Sequence, residues 1–322
     1  MLLFVASRLL KAAVVLIAIL TLNFLLIHAA PGDPVFVLAG EAGAADALYI
    51  EQLRERFGLD RPLLQQLGIY LGGILQFDLG FSYRQQMPVM DLILQRLPAT
   101  LLLTTTAFII ALTVGTLAGA LAAARVRKWS DTVISTAALF FYATPLFWVA
   151  LMAVLVFSVY LEWLPGFGYE TVGGRYTGLD RALDIGRHLI LPATTLGLFF
   201  TAVYVRMTRA SMLEVAQQDF VKTAHAKGLK PGLIQRRHVF RNAMLPVVTL
   251  AGLQAGQLVG GAVLTETVFA WPGIGRLMFE ALTQRDYNVL LGVFFVSAAM
   301  VLFFNLITDI LYRVVDPRIR AA

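Results

Sequence analysis

The sequence contains six long windows without a charged residue, and these windows constrain the fold more than any other feature. Each has about the 17–25 residues, or somewhat more, that a helix needs to cross a bilayer. Of the 322 residues, 58% are hydrophobic and only 14% are charged, too few for the surface of a water-soluble protein. We therefore predict an all-α integral membrane protein with six transmembrane helices, at residues 12–32, 97–124, 132–161, 188–205, 242–265 and 287–308.

The distribution of lysine and arginine predicts the orientation of these helices. Segment 206–241 has eight basic residues and two acidic ones, whereas segment 33–96 has five basic residues and eight acidic ones. Segments that lie in the cytoplasm are enriched in lysine and arginine. We therefore expect 206–241 and both termini in the cytoplasm. The net charge of +6 then reflects topology, and we expect no nucleic acid as a partner.

Three segments in the first part of the chain each allow more than one structural interpretation. Residues 12–32 follow Arg8 and Lys11, as in a cleaved signal peptide, but the uncharged run is longer than a usual signal core, so we expect a retained first helix. The apolar run 63–77 is too short to span and is expected to lie at the interface or re-enter the membrane. Within the large outer segment, residues 46–57 have the spacing of an amphipathic helix, which could cap the outer mouth, bind a soluble partner or lie on the membrane.

The sequence offers no chemistry of its own. It has no cysteine, which excludes disulfides and thiolate metal sites, and its four histidines lack ligand spacing. It has no phosphate-binding GxxxxGK[ST] motif and neither of the hydrolase motifs GxSxG and HExxH. We therefore expect no catalytic residue, no metal site and no cofactor in this chain.

Small and polar residues within the windows indicate contacts. Glycines recur every four residues at 115 and 119 and again at 252, 256 and 260, where helix backbones can approach closely, within this subunit or against a second one. Polar residues inside a membrane are costly, so they mark either a polar pathway or interhelical hydrogen bonds. The candidates for a translocation path are Gln254, Gln257, Asn305 and Asp309.

The basic segment 214–246 contains the start and stop signals of two short helices. Asp219 is placed to cap the first helix, Gly228 and Pro231-Gly232 interrupt it, and a second basic helix leads to Pro246. Such a segment suits docking of an apolar face with basic rims into the groove of a partner. The alternative is an ordinary inside loop that binds anionic lipid head groups.

At these residues the chain resembles the permeases of ABC importers. Lys222-Thr223-Ala224 occupies the place of the Glu-Ala-Ala signature of their coupling loop, Gly228 that of its glycine, and Ala243-Met244-Leu245-Pro246 that of its end. This chain has lysine where the signature has glutamate, and fourteen residues separate Gly228 from Ala243. In both respects it resembles the permeases of the dipeptide/oligopeptide/nickel branch. Further strings resemble that branch over essentially the whole chain, including Arg96-Leu97-Pro98-Ala99-Thr100, Glu266 to Gly275 and Asp316-Pro317-Arg318.

The resemblance implies a type I importer permease fold in one transmembrane domain, residues 1–322, and the first (B-type) member of a permease pair. It implies an extracytoplasmic segment at about 31–96 and a cytoplasmic coupling loop at about 206–241 that contacts an ATPase through Asp219, Lys222, Thr223, Ala224, Gly228, Leu245 and Pro246.

The implied partners are a second permease, two cytoplasmic ATPases that bind ATP and Mg, an extracytoplasmic substrate-binding protein and membrane lipid. The implied location is the cytoplasmic (inner) membrane of a bacterium or archaeon. Di- or oligopeptides are the expected substrates, with nickel chelates, glutathione and oligosaccharides as alternatives. A secondary transporter would need coupling-ion ligands at the midplane and usually an internal repeat, and a membrane-embedded enzyme would need a nucleophile with its base.

Overall fold

The uncharged windows form long α-helices, as required where no water is present to pair with backbone N–H and C=O groups. The computed structural model describes residues 2–29, 51, 55 and 60–315, and for residues 2–5, 253, 255–261 and 309–315 it describes the backbone alone. The elements, in chain order, are α1 (Leu2–Ala29), α2 (Leu63–Leu75), the strands β1 (Phe81–Ser82) and β2 (Met87–Pro88), α3 (Val89–Ala124), α4 (Trp129–Ala143), α5 (Leu146–Val154, continued by a π-helical segment Leu155–Tyr160), α6 (Gly178–Ala216), α7 (Asp219–Ala226), α8 (Pro231–Leu233, continued by a π-helical segment Ile234–Phe240), α9 (Arg241–Val268), α10 (Ile274–Gln284) and α11 (Tyr287–Val315).

Four of the described helices are long and apolar enough to cross a membrane, and a bent pair raises that number to as many as five. The four lie in α1, α3, α6 and α11, and the bent pair is α4 with α5. The fifth window of the sequence lies within α9, for part of which only the backbone is described. The all-α class is confirmed, whereas the total of six spans stays a prediction.

The third window, which is predicted as one span, is bent. The axes of α4 and of the helix that follows it differ by 102°, with the break at Thr144 and Pro145. Proline has no N–H, so the carbonyl of Phe141 loses its helical donor, and the residue before a proline avoids the α conformation. Thr144 accordingly has an extended backbone with ψ of 136°.

The chain divides into two compact units. The first comprises Met1–Pro98 and Gly273–Leu302, and the second comprises Ala99–Pro272 and Phe303–Ala322. In the first unit, buried side chains of α1, α3, α10 and α11 form one core, among them Leu20, Ile93, Leu277 and Val293. The run 63–77 forms α2 and packs against this core, whereas residues 46–57, apart from residues 51 and 55, lie outside the described part of the chain.

In the second unit, glycines bring α3 and α6 together. A Cβ on Gly115 would lie 2.5 Å from the Cβ of Tyr204, and one on Gly119 would lie 2.6 Å from the carbonyl oxygen of Val205. Both helices belong to this chain, so of the two alternatives these two glycines show packing within the subunit. Gly252 of α9 also packs within the unit, since its carbonyl accepts a hydrogen bond from Thr308 Oγ1 at 2.7 Å.

Two side chains of the string that carries part of the family resemblance, those of Glu266 and Trp271, are buried in the second unit. The Glu266 side chain is fully buried and accepts a hydrogen bond from Thr100 Oγ1 at 2.7 Å. The Trp271 indole is also fully buried, and its Nε1–H donates to the carbonyl of Ala99 at 2.8 Å. These bonds fasten the end of α9 to α3, since a buried polar group is costly unless it is paired.

The contact at Gly119 gives a test of the packing between α3 and α6. Gly119→Ala should destabilise the protein by about 1–3 kcal/mol, because the added methyl group meets backbone that cannot move away cheaply. Gly68→Ala in α2 is the matched control, since a Cβ there has no neighbour within 4 Å. Thermal unfolding in detergent should show a lower Tm for Gly119→Ala alone. Equal Tm values for the two variants would contradict this close approach.

Candidate ATPase-docking segment

The segment from 219 to 246, here called the docking segment, begins with the short helix α7. Its first residue is Asp219, and Gln218 occupies the N-cap position, so the expected capping role of Asp219 is wrong. Asp219 instead lies in the first turn, where a carboxylate complements the helix dipole. It pairs with Lys222 at 2.8 Å, but both side chains are exposed, so this ion pair contributes little to stability.

Gly228 ends α7 in the left-handed conformation, with φ of 73°. The N–H of Gly228 donates to the carbonyl of His225 at 2.9 Å, and the N–H of Leu229 donates to that of Ala224 at 3.3 Å. This pair of bonds is a Schellman motif, in which glycine is favoured because it has no Cβ to clash. A Cβ at 228 would meet no other atom within 4 Å, so the requirement for glycine is one of backbone conformation alone.

The second arm starts at Pro231 and runs without a break into α9. Proline suits the first position of a helix because the N–H that it lacks would have no helical partner there. The π-helical stretch Ile234–Phe240 exposes Arg236 and Arg237, and Arg241 is exposed at the start of α9. The docking segment therefore consists of two helical arms joined at Gly228, as the sequence predicts.

The apolar side chains of both arms pack inward. Val221 and Ala224 of α7 and Ile234 and Val239 of the second arm join Met212, Val215, Ala123 and Ala243 in one buried cluster. All of these residues belong to the second unit, and Met212 and Val215 lie in the last turns of α6. The buried cluster fixes the segment to the C-terminal ends of α3 and α6, so a force on the segment is transmitted to those helices.

The opposite side of α7 faces away from the protein. Phe220 is 40% exposed. Lys222, Thr223 and Lys227 are exposed as well, and Thr223 Oγ1 donates to the carbonyl of Asp219 at 3.0 Å. An exposed aromatic ring among cations is a surface that suits an apolar pocket with an acidic rim. Ala224, by contrast, is buried against the unit and is 5% exposed, so its contribution to any docking is to hold α7 in place.

The remaining predicted site residues are spread along α9 and α11. Leu245 is 45% exposed and Pro246 is half-buried within α9. Gln254 is half-buried, and its Oε1 is enclosed without a hydrogen-bond partner among the described residues. Asn305 is half-buried, while the side chains of Gln257 and Asp309 lie outside the described part of the chain.

The structure also reveals an ion pair that has no motif in the sequence. Asp131 of α4 is buried and accepts two hydrogen bonds from Arg209 of α6, at 2.7 and 2.8 Å, and a third from the N–H of Arg127. Bidentate pairs of this kind are strong and geometrically specific. The two residues are 78 positions apart in the sequence, and nothing in their local patterns links them.

Comparison with known protein families gives matches along both parts of the chain. Residues 115–321 match the family described as binding-protein-dependent transport system inner membrane component. Residues 1–104 match the N-terminal family of the same membrane components.

Individual relatives are similar over the whole length. The chain is 40% identical to the dipeptide transport system permease protein DppB of Alkalihalophilus pseudofirmus, covering 99% of this chain and 100% of that protein. It is 41% identical to the protein of the same name in Escherichia coli K12, covering 99% of each. It is 42% identical to the di/tripeptide transport system permease protein DppB of Pseudomonas aeruginosa, again covering 99% of each.

Among solved structures, a chain of the inward-facing MetNI methionine ABC transporter superposes with a TM-score of 0.57. The superposition covers 70% of this chain and 97% of that chain, at 17% sequence identity. A chain of an amino acid ABC transporter superposes with a TM-score of 0.51, at 16% identity, and covers 69% and 94% of the two chains. The shared fold is that of type I importer permeases, as the sequence predicts.

The docking segment gives a test of the Schellman motif at Gly228. Gly228→Val should cost about 1–2 kcal/mol, because a residue with a Cβ is strained in the left-handed region and a β-branched residue more so. The strain should loosen α7, so trypsin should cleave faster after Lys222 and Lys227. Gly232→Val is the matched control, because it lies in the same segment, has no positive φ and has open space around it. Equal cleavage rates in the two variants would contradict this role of Gly228.

Proposed function

Because the chain belongs to the family of binding-protein-dependent transport system inner membrane components, we propose that it carries di- or oligopeptides as a permease subunit of an ATP-driven ABC importer. It is a multi-pass inner membrane component with the fold of ABC importer permeases. Its relatives in A. pseudofirmus, E. coli and P. aeruginosa, which match over 99% of the chain, are named as dipeptide or di/tripeptide transport permeases.

The observation that carries this proposal is the construction of the docking segment. Its two arms are joined by a left-handed glycine, its apolar side chains anchor it to α3 and α6, and its outer face presents Phe220 beside Lys222 and Lys227. A rigid projection fixed to long helices is suited to receive movement from a partner. We assign contact with an ATPase to Asp219, Lys222 and Thr223 on that face, and to Leu245 and Pro246 beyond it. Ala224 and Gly228 support the contact from within.

The proposed assembly contains a second permease, two cytoplasmic ATPases and an extracytoplasmic substrate-binding protein. In this assembly the ATPases bind ATP and Mg and perform the hydrolysis, and this chain performs none. When the ATPases close on ATP, they move the docking segment, and α6 and α3 follow because the buried cluster fixes them to it. The peptide pathway then opens to one side of the membrane and closes to the other.

We assign Gln254, Gln257, Asn305 and Asp309 to the peptide pathway, since polar groups that face lipid are costly. The chain has no cysteine, so single cysteines at these positions can be labelled cleanly. A water-soluble thiol reagent should react at 254, 257 or 305 in at least one nucleotide state. Labelling elsewhere in the bundle with none at these positions would assign them to buried contacts between helices.

We also propose that both termini and the docking segment face the cytoplasm, because segment 206–241 has eight basic residues against two acidic ones. Right-side-out vesicles should therefore protect a tag at either end from an added protease and expose a tag inserted at residue 46. A tag at the N-terminus that is cleaved in such vesicles would contradict this orientation.

Reconstitution tests the proposed function as a whole. In proteoliposomes, the chain together with a second permease, ATPases and a peptide-binding protein should accumulate a labelled dipeptide only when ATP is present. Gly228→Val should lower this uptake and the recovery of the ATPase with the permease, whereas Gly232→Val should retain both. The chain alone, under a proton or sodium gradient, should accumulate nothing. Concentrative uptake by the isolated chain would overturn the proposal in favour of a secondary transporter.

A further inference from the structure

Two arginines of α6 lie one turn apart and have different surroundings. Arg209 forms the bidentate pair with Asp131. Arg206 is exposed and makes no ion pair or hydrogen bond with the residues that the structure describes. Its guanidinium carbon lies 4.9 Å from the centre of the Tyr142 ring. The two side chains have the same chemistry, but among the described residues only Arg209 has an anionic partner.

The Arg206 side chain extends toward the apolar part of α6 rather than toward its basic end. The pairs Asp131 with Arg209 and Tyr142 with Phe199 establish that α4 and α6 are antiparallel. The Tyr142 ring stacks on Phe199 with centroids 5.8 Å apart and contacts Arg206 as well. Since helical side chains lean toward the N-terminus, Arg206 points from its own turn back toward Phe199, into the charge-free run 188–205.

This direction argues against a lipid-facing arginine. An arginine near the end of a span that faces hydrocarbon extends its charge outward to the head groups and water. The Arg206 guanidinium lies instead beside the ring of Tyr142, two residues before the break at Thr144 and Pro145. At that break the carbonyl of Phe141 lacks its helical donor, and irregular backbone at membrane depth is tolerated only where it lines a cavity or is covered by protein.

From these contacts we propose that Arg206 is a substrate-binding residue of the translocation path, which binds the carboxylate of the transported peptide. The inference rests on the proposed function and names the part of the substrate that this surface recognises. Arginine donates two parallel N–H bonds to a carboxylate, as Arg209 does to Asp131, and the Tyr142 face holds the guanidinium in place from one side. The Arg206 side chain is otherwise exposed, so it can meet an anion, and a peptide brings one at its C-terminus.

The test uses chemical restoration of charge in the assembled transporter. Because the chain has no native cysteine, R206C can be modified selectively with thiosulfonates that add an ammonium, a neutral methyl or a sulfonate group. At saturating peptide-loaded binding protein, the methyl derivative should transport a dipeptide at least about tenfold more slowly than wild type, since hydrogen bonds to charged groups contribute about 1.5–3 kcal/mol and each 1.4 kcal/mol is tenfold. The ammonium derivative should recover most of the rate, and the sulfonate derivative should be slower than the methyl one.

The matched control is R125C, which removes an exposed arginine from the turn between α3 and α4. Its three derivatives should transport at equal rates. Recovery of all subunits and ATPase activity without peptide should be unchanged in R206C, since the proposed contact is with the substrate. Loss of assembly or of peptide-free ATPase activity in R206C would overturn the proposal and assign Arg206 to the second permease or to the fold.

Lipid composition separates the peptide carboxylate from a lipid phosphate. The relative transport rates of the three R206C derivatives should be the same in vesicles of phosphatidylcholine alone and in vesicles that also contain phosphatidylglycerol. A charge effect that occurs only with the anionic lipid would overturn the assignment to peptide. Failure of the wild-type complex to import any peptide would contradict the proposed function itself. Normal import by wild type with equal rates for all R206C derivatives contradicts the role of Arg206 alone.

Discussion

The structure depends on one constraint, that backbone hydrogen-bonding groups inside a bilayer have to be paired within the protein. Long uninterrupted helices satisfy it along most of the chain. Four prolines in the predicted spans each remove one backbone N–H donor from a helix. Pro98, Pro192 and Pro246 lie within α3, α6 and α9, and each helix continues past its proline. At Pro145 the chain instead turns by 102°, and the missing N–H of the proline leaves the carbonyl of Phe141 without its helical donor. This break lies two residues after Tyr142, whose ring contacts Arg206.

The sequence was most informative where one physical pattern acts locally. Charge-free windows located the long helices, and the glycine and proline residues between 228 and 232 located the joint of the docking segment, because left-handed backbone requires glycine. The spacing of Gly115 and Gly119 indicated a close helix contact, and the structure identifies its partner as α6.

The sequence was least informative where residues far apart in the chain meet. The pair of Asp131 with Arg209 and the contact of Arg206 with Tyr142 each join α4 to α6 across the intervening α5. A count of charges places both arginines in one basic segment and does not indicate that Arg209 pairs with Asp131 whereas Arg206 contacts Tyr142. Similarly, the pattern of α7 suggested an apolar face for a partner, whereas Val221 and Ala224 pack inward and Phe220 is the exposed apolar side chain.

Helix α6 makes three different contacts along its length. Its last turns, with Met212 and Val215, hold the docking segment. One turn earlier, Arg209 locks α6 to the start of α4 through Asp131. A further turn earlier, Arg206 extends toward the apolar run beside the break in the third window. In the proposed assembly an ATPase moves the docking segment, and a rigid helix attached to that segment at one end carries its other residues with it. Because the Asp131–Arg209 pair ties α4 to the same helix, the proposed displacement of the docking segment would move Tyr142 together with Arg206.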